Sequence, residues 1–63
     1  MSEAEELKAR LKKLSAQATS AKMDLHDLSE ELPIGWERIL EVAQKTYDAF
    51  KALDAARKEA AAA

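Results

Sequence analysis

The sequence predicts an all-α protein: an antiparallel two-helix hairpin that oligomerises into a four-helix bundle. Three observations carry that class. Leucine and alanine recur in strict steps of four and three from Leu7 to Leu32. One punctuation, Leu32-Pro33-Ile34-Gly35, holds the only Pro and the only Gly. And 63 residues without a cysteine are too few to bury a sizeable core alone, so association is the remaining route to stability.

The length makes one structural unit, residues 1–63. Without Cys there are no disulfides, no thiolate zinc sites and no Cys-ligated iron–sulfur clusters. The start, Met1-Ser2-Glu3-Ala4-Glu5-Glu6, is acidic and lacks the apolar run of a signal peptide. No stretch approaches the roughly 18 apolar residues of a membrane span. The expected location is therefore the cytoplasm, with no membrane partner. A net charge of −2 argues against general affinity for nucleic acid.

Helix one is expected over about 2–32. Ser2 and Glu5 stand at capping-box spacing, and Glu3, Glu5 and Glu6 sit where the helix dipole favours anions. The seam is Leu7, Leu11, Leu14, Ala18, Ala21, Leu25, Leu28, Leu32. Such alternation over about four heptads is the coiled-coil pattern. The two central alanines would let a neighbouring helix approach closely. Met23 lies off this seam. At about 1.5 Å per residue the helix would be roughly 45 Å long.

Residues 33–35 form the turn. Pro33 lacks an N–H and disfavours the helical conformation at Leu32, and Gly35 allows a sharp reversal. A connection this short makes the two helices antiparallel. Helix two is expected over about 36–60, with the seam Trp36, Ile39, Ala43, Thr46, Phe50, Leu53. Leu40, Val42, Tyr47 and Ala49 flank it. That face is wider than two strands of a coiled coil need and suits four helices. The expected assembly is a homo-oligomer, a dimer first and a tetramer second, with Leu7, Leu11, Leu14, Leu25, Leu28, Leu32, Ile39, Phe50 and Leu53 in its seam. In chain order the charges are not segregated. Residues 1–32 hold five Lys or Arg and seven Asp or Glu, and residues 33–63 hold five of each.

Candidate chemistry is confined to a few places. His26 and Glu30 stand four apart on one helix face, as do Asp27 and Glu31, with Asp24 three before Asp27. Imidazole with carboxylates can bind a divalent transition metal, so His26, Asp27, Glu30 and Glu31 are candidate ligands. The competing reading is a solvated acidic face or a protein-docking surface. Lys8, Arg10, Lys12 and Lys13 form a basic cluster that could meet RNA phosphates, but Glu3, Glu5 and Glu6 stand beside it. Trp36 is a candidate interaction anchor, although its place on the seam favours packing against Leu32. Nothing suggests an enzyme. Ser15, Ser20 and Ser29 have only one His to pair with, and no Gly-rich loop or Cys nucleophile exists.

The run Lys22-Met23-Asp24-Leu25-His26-Asp27-Leu28, followed by Glu30, Leu32-Pro33 and Trp36-Glu37, resembles a family of small Rop-like, NifX-associated proteins found with nitrogen-fixation systems. The resemblance continues through Val42-Ala43 and Lys45-Thr46-Tyr47 towards Leu53. The chain departs from the family pattern at Ile34-Gly35, where a Thr-Asp pair is usual, and at Ser29, where Ala is common. The resemblance implies a helical hairpin that assembles into a bundle, a role in or near nitrogenase maturation or function, and no established enzymatic activity. The expected function is thus a nitrogen-fixation accessory protein that meets nitrogenase-related proteins through Asp24, His26, Asp27, Glu30, Glu31 and Trp36. The alternatives are a metal-binding or metal-delivery protein for iron or another divalent metal, and a Rop-like RNA-binding bundle.

Overall fold

The structure is a computed structural model and describes residues 2–62. Helix α1 spans Glu3–Glu31. Ser2 caps it with extended backbone, its hydroxyl accepting from the Glu5 N–H at 3.2 Å. The Ser2 carbonyl takes the Glu6 N–H at 3.1 Å. One orphan donor of the helix start, the Glu5 N–H, is thereby satisfied, and Glu3, Glu5 and Glu6 place carboxylates in the first turn, where the helix dipole favours them.

The helix stops at Glu31, one residue before the expected end. Leu32 leaves helical geometry at φ −54°, ψ 143° because the ring of Pro33 crowds that conformation. The Leu32–Pro33 peptide is cis. The Ile34 N–H returns to the Glu31 carbonyl at 3.0 Å. Gly35 then adopts left-handed geometry at φ 79°, which glycine reaches without steric cost. A Cβ there would lie 3.2 Å from Cδ1 of Leu28. Its carbonyl accepts the Arg38 N–H at 3.0 Å and opens a 3-10 turn, Trp36–Arg38, that leads into helix α2, Ile39–Ala62.

The two helices lie side by side in a rod of 48 × 15 × 13 Å. Contacts set the antiparallel register. Arg10 pairs with Glu59 near the chain ends, and Thr46 meets Ala21 at mid-length. The buried residues are Ala18 and Leu28 on α1 and Val42, Leu53 and Ala56 on α2. On α1 the half-buried Leu7, Leu11, Leu14, Ala21 and Leu25 complete the expected seam. Leu32 lies past the helix end and is 40% exposed.

On α2 the seam is shifted. The residues facing α1 are Val42, Thr46, Ala49, Leu53, Ala56 and Ala60, again in steps of four and three. Ile39 and Phe50, expected at its centre, lie on the rim, 37% and 41% exposed. The two series share Thr46 and Leu53 and differ by one position elsewhere. Alanines at 49 and 56 let α1 pack close against the Val42–Ala60 series, while Phe50 and Ile39 stay on its rim.

Candidate interaction surface

A second apolar series runs beside the buried one. Trp36, Leu40, Ala43, Tyr47 and Phe50 follow steps of four, three, four and three. At 3.6 residues per turn Leu40, Ala43, Tyr47 and Phe50 line one flank of α2, about 120° from the buried series, and Trp36 stands in the 3-10 turn just before it. Leu40 is 84% exposed, Trp36 63% and Tyr47 62%. The hairpin does not give Trp36 the cover that packing against Leu32 would require. Lys51 adds its ammonium 5.9 Å from the centroid of the Tyr47 ring.

The same side of the hairpin is concave towards the chain ends. There Leu11, Lys12, Ser15, Thr19, Leu53 and Arg57 line an open groove, with Lys8 at its rim. Ala9 and Ala16 keep it shallow-walled. One face therefore carries an apolar ridge at its turn half and a groove of small and apolar side chains at its terminal half.

The helix separates the acidic residues that the sequence groups. His26 Nε2 lies 2.7 Å from Glu30 Oε1, and both are well exposed. Asp24 turns to the opposite side, into a cleft shared with Arg38, Lys45 and Thr46. Glu31, seven residues on, shares the Asp24 face, and Asp27 points between the two. Among the described residues no three His, Asp or Glu side chains gather where they could hold an ion. The basic cluster divides similarly. Lys8 and Lys12 border the groove, Arg10 turns away to pair with Glu59, and Lys13, three residues after Arg10, follows it. No helix among the described residues is long and apolar enough to cross a membrane.

Folding back creates a charge asymmetry that chain order hides. The Thr46–Ala21 and Arg10–Glu59 contacts place residue 18 level with residue 50. The turn half, residues 18–50, holds seven Asp or Glu and three Lys or Arg. The terminal half holds five and seven. Each half of the linear sequence contributes to both ends, so counting along the chain averages the difference away.

Comparisons with known proteins agree with this geometry. The family described as Rop-like matches residues 2–63. A UPF0437 protein of Azorhizobium caulinodans is 63% identical over 59 residues, covering 94% of this chain and 86% of that protein. The UPF0437 protein y4xE of Sinorhizobium fredii is 55% identical over 62 residues, covering 98% of this chain and 92% of its own. A Frankia alni relative named as a UPF0437 protein in the nifX-nifW intergenic region is 63% identical over 41 residues, covering 65% of this chain and 50% of that one. Among solved structures, an NMR structure from a structural genomics programme superposes with a TM-score of 0.89 at 68% identity, covering 98% of this chain and 89% of that chain.

Proposed function

We propose, from the premise that this chain belongs to the Rop-like family, that it is a non-enzymatic accessory protein of nitrogen fixation. It acts by protein–protein interaction on a homodimeric four-helix bundle. The observation that carries the assembly is the exposure of the large apolar side chains Trp36, Leu40, Tyr47 and Phe50. A single hairpin of this size leaves that surface wet, and burying it gives back roughly 25 cal/mol for each Å² of apolar area removed from water. The name of the Frankia alni relative, which sets it between nifX and nifW, supports the link to nitrogen fixation.

Charge and shape favour an antiparallel pairing of hairpins. That arrangement brings the acidic turn half of each copy over the basic terminal half of the other. It also brings the Tyr47–Phe50 ridge of each copy towards the groove of its mate, twice, as a twofold axis requires. Tetramers formed by stacking such dimers are the second assembly. The single His26–Glu30 pair gives the metal reading too few donors on one hairpin, and the divided cations give the RNA reading no continuous stripe.

Sedimentation equilibrium over a dilution series tests the bundle. A dimer that dissociates on dilution, and does so earlier for Phe50→Ala, is the expected result. A monomer at every concentration would overturn the assembly. Growth of a diazotrophic host lacking the gene tests the biological link. Slower growth on dinitrogen with normal growth on ammonium is expected, and equal growth on both would remove nitrogen fixation from the reading.

A further inference from the structure

We propose that Met23 and His26, with Glu30 supporting the imidazole, bind a soft monovalent metal ion of the copper(I) class on the flank of α1. Helix geometry gathers the three. His26 follows Met23 by three residues and Glu30 follows His26 by four, the two spacings that make neighbours on a helix surface. At about 100° per residue the side chains fall within roughly 60° of one another around the axis. None of them belongs to the Leu40–Phe50 flank of α2, and the site needs no second copy.

The contact already made decides which atom of the ring is free. His26 Nε2 lies 2.7 Å from Glu30 Oε1, so the neutral ring carries its proton on Nε2 and keeps a lone pair on Nδ1. A carboxylate against the far nitrogen is the usual support of a metal-binding imidazole. It fixes the tautomer and raises the basicity of the nitrogen that binds.

Packing does not account for Met23. It lies off the leucine seam at 54% exposed and is the one exposed large apolar side chain within α1 among the described residues. A thioether is a soft ligand that selects copper(I), and imidazole suits copper as well. An ion that draws on oxygen and nitrogen alone finds too few donors here, since no three His, Asp or Glu side chains converge among the described residues. Charge agrees with the choice. Thioether and imidazole are neutral, and the single carboxylate of Glu30 balances a monovalent ion. With no cysteine in the chain, no thiolate competes for it.

Copper(I), kept reduced with ascorbate under anaerobic conditions, is titrated into the full chain against a coloured copper(I) chelator. One ion per chain is expected, with zinc(II) at least about tenfold weaker. Glu30→Gln should weaken copper(I) binding about tenfold. Met23→Leu, close in volume, and His26→Ala each remove a donor and should weaken it more. Circular dichroism should show wild-type helicity in all three, because the side chains are exposed. Silver(I), a redox-inert probe of the same softness, gives a direct view of the wild-type chain by NMR. The Met23 methyl and the His26 ring signals should shift together, and the Met1 methyl should not. Undiminished copper(I) binding by Met23→Leu, silver shifts at Met1 alone, or zinc(II) held as tightly as copper(I) would overturn the site.

Discussion

The Thr46 hydroxyl lies 3.2 Å from the carbonyl oxygen of Ala21 on the opposite helix and 2.9 Å from the carbonyl of Val42 in its own. Its one proton is shared between a contact that links the helices and one that stays within α2. Such an approach to a main-chain carbonyl is possible because residue 21 is an alanine. The pair thus ties register to small side chains at the middle of the rod.

Thr46→Val keeps the shape and removes the hydroxyl, and should cost about 0.5–1.5 kcal/mol. Ala21→Leu should cost more, about 1–3 kcal/mol, by forcing the helices apart. Urea unfolding followed by helical circular dichroism measures both. If Ala21→Leu were the milder change, the close approach would not matter to stability.

Leu53 and Phe50 stand three apart on α2 but differ in burial, 4% against 41% exposed. Leu53 is 4% exposed against α1, so Leu53→Ala should cost about 2–5 kcal/mol. Phe50→Ala should act chiefly on association, with a loss that depends on protein concentration. Unfolding midpoints at several concentrations separate the two. A concentration-independent loss for Phe50→Ala would assign its contacts to the hairpin itself.

Leu25 is half-buried in the α1 seam. Leu25→Asp puts an unpaired charge there and should abolish folding. Full helicity and unchanged mass in that variant would contradict the seam.

Gly35 bears the one positive φ among the described residues. Gly35→Ala should destabilise by about 1–2 kcal/mol, the cost of left-handed backbone for a residue with a Cβ, with some addition from the 3.2 Å approach to Leu28. Thermal melts read the effect. A neutral result would mean that the turn relaxes into another geometry.

Antiparallel pairing by charge predicts that the dimer weakens with salt, because its contacts between acidic and basic halves are exposed and screened. Lys8→Glu together with Lys12→Glu, the two cations at the groove, should weaken it further at low salt and flatten the salt dependence. A dimer insensitive to both would rest on apolar contact alone.

Much of this architecture was legible before any fold was known. Strict three–four spacing on α1 marks Leu7 to Leu28 as one face, because 3.6 residues per turn leaves no other way to line them up. Pro33 and Gly35 mark the reversal through their own backbone limits. Ser2 announces its cap through its hydroxyl. These are local consequences of residue type and spacing.

Tertiary structure alone decided the rest. On α2 two apolar series overlap, and only packing against α1 chose Val42, Ala49 and Ala56 over Ile39 and Phe50, since the choice depends on which side chains let a second helix come close. The cleft that Asp24 shares with Arg38 and Lys45 exists only because α2 packs alongside that face of α1. The basic excess at the terminal end arises because residues 1–17 and 51–63, distant in sequence, become level when the chain folds back, whereas the carboxylates from Asp24 to Glu41 are already neighbours along the chain. Spacing along a helix is a property of the sequence; which faces meet, and which charges share a level, are properties of the fold.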